Sequence, residues 1–407
     1  MRILILSVYY ILLKEIFCEL IQLKLEYTAP YYYISLIMGK NINETKFLFS
    51  NNIPLSFIPT SNCKICSKFK LNETNSNLVS IKQNIKIPHY HYDYTGNIYK
   101  NTFSVKNLTS ELNFIGFSNV TYKSDFSYNG IFALSFLNYN FNTTKKIFAI
   151  KFEKSDCYIH LGDYNSNIIK KNDTLKIFNI TVDDKEMNGE VLNSKWYINF
   201  SSLLIGDVEI NNNKNNESNS SVKLSFDMGT NKFHIPKDYF FKNMKFIFPA
   251  KSQCQFHPDG YFICACQDNY NEVFGKFEFR NNNNEVFTIN PSDYIKYEFK
   301  MPKSECIAKI MVNYKNDLFI VGTEILKKYY TIFDIDNKTL TLYKEEKNEI
   351  PKDMEFFILF LFILAIIETI IFGIYFCWKK CKTNPRNIDE AEEIINQGQN
   401  ESSEETD

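Results

Sequence analysis

Three short stretches, Leu318-Phe-Ile-Val-Gly322, Tyr329-Tyr-Thr-Ile-Phe-Asp334 and Asn337-Lys-Thr-Leu-Thr-Leu342, follow one another near the C-terminal end of the sequence. The first is apolar throughout and stops at a glycine, the pattern of a strand buried on both faces. The second is built from aromatic and β-branched residues, and the third alternates threonine with leucine at period two. Moving outward, the same grammar recurs in KFLFS (46–50), LSFIP (55–59), NTFSVKN (101–107), KIFAIKFE (146–153), KWYINFS (195–201) and VKLSFD (222–227). Helical periodicity is scarce. Residues 236–245, which open on Pro236, are the best short helix, since proline suits a first helical turn. Many short strands in succession predict an all-β body.

Composition agrees. The chain has 407 residues, with 37 Phe, 26 Tyr and 2 Trp, an aromatic share of 16% that favours strands. Lys and Arg number 46 against 47 Asp and Glu, a net charge of −1. That balance provides no basic footprint for tracking phosphates and argues against nucleic acid as a partner. Gly is scarce at 13, and no glycine-rich phosphate loop is present. No HExxH or G-x-S-x-G stands in the chain. His89 and His91 would share a face of a strand, but no third ligand follows at useful spacing, so neither a metal nor a cofactor is expected.

The ends of the chain point to a membrane. Ile3–Leu13 is an apolar run between Arg2 and Lys14, the pattern of a secretory signal without a clear cleavage site; a helix of the mature protein is the competing reading. Within Met354–Cys377, the run Phe356–Phe376 is long enough to cross a bilayer and is interrupted only by Glu368, either a partner-binding carboxylate or an idle protonated one. Lys379, Lys380, Lys382 and Arg386 follow and predict a cytosolic end. The expectation is a single-pass type I protein with a lumenal or extracellular body. Seven cysteines then face an oxidising compartment: Cys63, Cys66, Cys157, Cys254, Cys264, Cys266 and Cys306. Seven is odd, so one is free unless Cys18 survives processing. Cys63-x-x-Cys66 is expected as a disulfide rather than half a zinc site, and so is the Cys254, Cys264, Cys266 and Cys306 group, with its connectivity open. Sequons at Asn43, Asn107, Asn199 and Asn337 fit a glycosylated ectodomain. Residues 211–221 form a polar low-complexity loop, and the acidic end IDEAEEIINQGQNESSEETD is expected as a solvated tail.

The three C-terminal stretches, in their order and spacing, resemble the end of pepsin-family aspartic proteases. Asp227-Met-Gly-Thr-Asn231 with Pro236 resembles the second Asp-Thr/Ser-Gly-Thr motif of that family, and Lys195-Trp-Tyr-Ile198 the strand that opens its second lobe. In the first half, Tyr33–Gly39 is similar to the first hairpin, Leu55–Pro59 with Cys63 to the strand after the first motif, and Asn129–Ser135 to the "DGILGLG" segment. The resemblance covers about residues 28–345. It implies a bilobal pepsin-like fold with a peptide cleft, Cys254 and Cys306 taking the part of cysteines on the family's second-lobe strands, and two carboxylates, one per lobe, sharing a proton. The expected organisation is a signal and leader over 1–26, lobes over 27–185 and 186–346, a membrane helix over 354–377 and a cytosolic tail over 378–407.

Here the chain departs from the pattern. Counting eleven residues on from Gly39, or seven back from Phe57, places the first aspartate at Ser50, and no Asp lies between Tyr33 and Cys63. The motif becomes Ser50-Asn51-Asn52. In the second lobe Asp227 and Gly229 remain, but Met228 stands where a threonine is expected. The threonine pair that the family bonds across its lobes becomes Asn51 and Met228, and a thioether cannot replace a donor hydroxyl. The resemblance assigns Asp227 and Ser50 to the catalytic positions, and Gly229, Thr230 and Tyr92 (or Tyr94) to substrate binding, with Gly96 in the flap turn. A lone Asp227 is expected simply to ionise, and catalysis to be impaired. An active endopeptidase and an adhesion ectodomain with an unused cleft are the other readings.

Overall fold

In a computed structural model, the described residues are 21–38, 44–53, 55–63, 66, 79–89, 92–105, 108–120, 130–134, 141, 143–153, 156–170, 174–183, 195–210, 221–257, 261–266, 270–283, 285–300, 303–314, 317–344 and 352–382. The apolar run Ile3–Leu13, Cys18, Gly39, His91, Asn43, Asn107, Asn129, the loop over 211–220 and the acidic end lie outside them. Strand Ile21–Thr28 begins inside the stretch expected as leader. It pairs with Asp156–Leu161 and Tyr31–Met38, and Leu23 and Leu25 are buried, so residues 21–26 belong to the folded body.

The three deciding stretches are all strands. Leu318–Val321 is buried at every position, between its parallel neighbour Val222–Phe226 and Phe233–Pro236. Tyr329–Asp334 pairs with Ile147–Glu153 on one side and with Thr339–Lys344 on the other. Thr339–Lys344 then pairs with Thr174–Asn179. Strands from both halves therefore share one thirteen-stranded sheet, which continues through Ile21–Thr28 into the first lobe. Six-stranded and four-stranded sheets complete the second lobe.

Aromatic side chains fill the interior. Phe148 stacks on Phe333 at 4.4 Å, joining the halves through the shared sheet. Trp196, fully buried, packs on Phe226 and Phe333. Each such ring removed from water contributes roughly 1.5–3 kcal/mol. The expected short helix forms as Lys237–Ile247 and turns Phe240 and Ile247 inward.

The body extends to Glu346, and residues from Lys347 form a separate unit. That unit holds one helix, Lys352–Lys382, in which Phe360–Lys379 is apolar and long enough to cross a membrane.

Candidate active site

Two loops meet at the centre of the body, and the same construction delivers both. Thr45–Ser50 runs parallel to Ile131–Ala133, with Ser50 opposite Ala133, and Leu134 N donates to Ser50 O at 2.9 Å. Val222–Phe226 runs parallel to Leu318–Val321, and Asp227 N donates to Val321 O at 2.9 Å. After each loop the chain returns as a strand ending in proline, Ser56–Pro59 or Phe233–Pro236. Each proline stands nine residues beyond Ser50 or Asp227. Each returning strand pairs in parallel with a further strand, Phe114–Phe117 in one lobe and Ile310–Asn313 in the other. Ser50 thus occupies in the first lobe the place that Asp227 occupies in the second.

The side chains touch. Ser50 Oγ donates to Asp227 Oδ1 at 2.8 Å. Gly229 N donates to the same oxygen at 2.7 Å. Ser50, Asn51 and Asp227 are all 0% exposed. Burial raises the Asp227 carboxyl to about 6, against the pull of the Gly229 amide, the Ser50 hydroxyl and the Asn51 amide. A carboxylate without an acidic partner still ionises, but burial moves that change up to about pH 6. Desolvation alone keeps Asp227 protonated across much of the acidic range.

Asn51 makes the lobe-to-lobe connection. Its Nδ2 donates to Phe226 O at 3.2 Å, and its Oδ1 accepts from Met228 N at 2.8 Å. Trp196 Nε1 donates to Asn51 O at 2.8 Å, and Ser225 Oγ donates to Asn52 Oδ1 at 2.9 Å. One carboxamide, both donor and acceptor, spans the two groups on either side of Asp227. The Met228 side chain is buried and has no hydroxyl to donate, so its part in the connection is its backbone N–H. The sequence puts Asn51 and Met228 where the resemblance expects threonines; the bridging role of Asn51 is visible only once the loops face each other. Trp196 was legible as a strand marker but not as a partner of Asn51.

Gly229 is closely fitted, since a Cβ there would stand 3.1 Å from Ser50 Cβ and 3.2 Å from Asp227 Oδ1 and would make both neighbours give way. Thr230 is turned inward, its Oγ1 2.9 Å from His234 Nε2. His234, between Phe233 and Ile235, is buried and was not singled out from the sequence. Tyr92 opens strand Tyr92–Val105 opposite His89, and its side chain lies outside the described residues. Tyr94 is fully buried between Phe57 at 4.6 Å and Phe117 at 5.2 Å, so it belongs to the core. Gly96 is not a turn residue. It sits inside the strand at a register shift, where a Cβ would come within 2.1 Å of Gly116 O.

The disulfides pair Cys63 with Cys66, Cys254 with Cys264, and Cys266 with Cys306. The connectivity left open by the sequence is settled by register: Cys264 lies on the strand between Cys254 and Cys306, and these two are not bonded to each other. Cys157 is the free, buried thiol that the odd count required. Among the described residues, no group of three or more His, Cys, Asp or Glu gathers as a metal site.

Two β-lobes, each presenting a buried loop to the other beside a shared sheet, define a pepsin-like body. Residues 32–344 match the family model of eukaryotic aspartyl proteases, and the chain belongs to that family. A stretch of 80 residues is 34% identical to Plasmepsin I of Plasmodium falciparum, equally so in two isolates of that organism. That stretch is 19% of this chain and 17% of the relatives, so the match spans about a sixth of their length.

Proposed function

We propose that this chain is a membrane-anchored, catalytically impaired member of its family, whose cleft takes up extended peptide segments. The observation that carries the reading is the 2.8 Å bond from Ser50 Oγ to Asp227 Oδ1. Two-carboxylate hydrolysis needs one acid protonated and its neighbour ionised, so that one group takes a proton from water while the other polarises the substrate carbonyl. A serine hydroxyl can donate a hydrogen bond, but it cannot share the proton at working pH. Asp227 alone is neutral below about pH 6 and charged above it. At no pH does it supply both states. General acid–base catalysis contributes roughly 10²–10⁴-fold, and that is the scale of the expected loss. Peptide uptake by strand addition needs backbone edges and side-chain pockets rather than the second carboxylate.

The anchor is the apolar helix. A span of 20 residues at about 1.5 Å per residue matches a hydrocarbon core of about 30 Å. The lysines after it favour a cytosolic C-terminal side, which would make the chain type I. Asn199 and Asn337 are exposed and available for glycosylation in a lumenal body. In this reading Ile3–Leu13 is the signal that sends it there.

The test is cleavage of a mixed peptide library by the purified full chain in detergent from pH 3 to 7, beside Ser50→Asp and Asp227→Ala. Silence from the wild type with turnover gained by Ser50→Asp is expected. Turnover by the wild type that vanishes in Asp227→Ala would overturn the impaired reading in favour of an active endopeptidase. Fluorescence-detected binding of the same library tests the cleft: absence of binding would leave an adhesion ectodomain.

A further inference from the structure

The two disulfides of the second lobe stand side by side on one small sheet. Its strands run in the order Gln255–His257, Tyr261–Ala265, Lys303–Ala308 and Ile295–Lys300. Gln255 faces Ile263, and carrying that register one residue further sets Cys254 opposite Cys264. On its other side Cys264 is the register partner of Cys306. Directly opposed residues project from the same face, so Cys264 has a cysteine on each flank. Cys306 is nevertheless bonded to Cys266, two residues beyond Cys264 and just past the end of strand Tyr261–Ala265, with a Cα separation of 5.5 Å. Cys306 therefore has two eligible partners, Cys264 and Cys266, both within the reach that disulfide geometry demands.

Burial sorts the four sulfurs. Cys264 and Cys306, the inner members, are 1% and 0% exposed, whereas Cys254 and Cys266 are only partly buried. Thiol–disulfide exchange proceeds by attack on an accessible sulfur. An external thiol can thus approach at Cys254, and the sulfur it displaces is the one beside Cys306.

The turn before Cys254 is fitted to its reduced form. Ser252 Oγ donates its single proton to Pro249 O at 2.6 Å, and the same oxygen stands 3.2 Å from Cys254 Sγ. A disulfide sulfur carries no proton, so two acceptors face each other there. The contact becomes a hydrogen bond only when Cys254 is a thiol. Gln253, between them, is held at φ 45°, in the left-handed region that disfavours residues with a Cβ.

We propose that Cys254, Cys264, Cys266 and Cys306 form a thiol–disulfide exchange site for small thiols. A thiolate attacks Cys254 Sγ and forms a mixed disulfide, and Cys264 leaves as a thiolate. Cys264 attacks Cys306 Sγ, the Cys264–Cys306 bond forms, and Cys266 leaves and takes a proton. A second thiolate attacks the sulfur of the small thiol in the mixed disulfide. The small-molecule disulfide departs, and Cys254 takes a proton, keeps it, and donates a hydrogen bond to Ser252 Oγ. Two thiols are oxidised to one disulfide, and one of the two protein disulfides is reduced. The hairpin strand Gln255–His257, which carries the 62% exposed Phe256, is then released from its covalent pin. The strands Tyr261–Ala265 and Lys303–Ala308 remain joined.

The test treats the purified full chain, in detergent, with increasing reduced glutathione, quenches with acid, labels with N-ethylmaleimide and maps the cysteines by mass spectrometry. At the point where one disulfide of the four-cysteine group has opened, label on Cys254 and Cys266 of the same molecules, with Cys264 bonded to Cys306, is expected. Label on Cys254 and Cys264 with Cys266–Cys306 intact would overturn the proposal, and so would label on Cys266 and Cys306. In Cys254→Ser the surviving disulfide should be Cys264–Cys306 in the majority of molecules; a majority of Cys266–Cys306 would count against it. Ser252→Ala should raise the glutathione needed for half-opening at least threefold, and an unchanged midpoint would remove Ser252 from the site.

Discussion

The loops Ser50-Asn51-Asn52 and Asp227-Met228-Gly229 occupy equivalent places in the two lobes, yet they divide the work unequally. The second supplies the only carboxylate of the pair and the glycine that lets the other loop approach. The first supplies the bonds that hold the pair together, through Asn51 to Phe226 O and Met228 N and through Asn52 to Ser225. A symmetric arrangement would spread both tasks over both loops. What the difference teaches is that positioning and chemistry are separable here: the first loop holds the pair in place without carrying an acid.

The strongest way to break this comparison is at Asn51. Asn51→Ala removes two cross-lobe bonds and leaves a buried carbonyl and a buried amide without partners, at about 1–3 kcal/mol each. A loss of about 4 kcal/mol in thermal or urea unfolding is expected. Met228→Leu, its counterpart, keeps the volume and should cost less than about 1.5 kcal/mol. Equal losses would show that the grip is not one-sided.

Next in size is a pH effect confined to the second loop. The folded Asp227 carboxyl lies at about 6, above its ordinary 3.8. The folded state therefore binds the proton more tightly, and the group's stabilising contribution is complete below about pH 3.8 and lost as pH rises through 6. Two pKa units correspond to about 3 kcal/mol. Wild-type stability relative to Asp227→Asn should fall by about that amount between pH 4 and pH 7. A difference curve that is flat, or that rises with pH, would contradict the buried-acid picture.

Two smaller effects sharpen the comparison. Trp196→Phe keeps an aromatic ring but loses the bond to Asn51 O and leaves part of the buried indole volume empty, a combined cost of about 2.5 kcal/mol. Asn52→Gly would give the first loop a glycine like that of the second and lose the Ser225 bond, a cost of about 1 kcal/mol. If Asn52→Gly instead stabilised the protein by that amount, the side chain of Asn52 would be a burden rather than a support.

Much of this was legible in the sequence because strands announce themselves by period two and by aromatic content. Leu318–Val321, Tyr329–Asp334 and Thr339–Lys344 all stand where their patterns place them. Ser50 could be located because fixed spacings on both sides converge on it, and its meeting with Asp227 follows from the fold. What escaped depends on neighbours far away along the chain. The bridging carboxamide of Asn51 acts across 175 residues, and no local pattern reports it. The raised carboxyl of Asp227 comes from burial, which a motif does not state. The disulfide pairing follows from cross-strand register, which cysteine spacing alone leaves open.

The shared sheet sets the timetable of biosynthesis. Tyr329–Asp334 and Thr339–Lys344 fill the gap between Ile147–Glu153 and Thr174–Asn179. Both of those earlier strands leave the ribosome at least 160 residues before their register partners, as Asn179 does before Thr339. Through that interval a slot two strands wide, about 10 Å, stays open with an unpaired strand edge on either side. The nascent chain must be shielded there until its last strands arrive, and a truncation anywhere before Lys344 leaves two adhesive edges in place of a finished body.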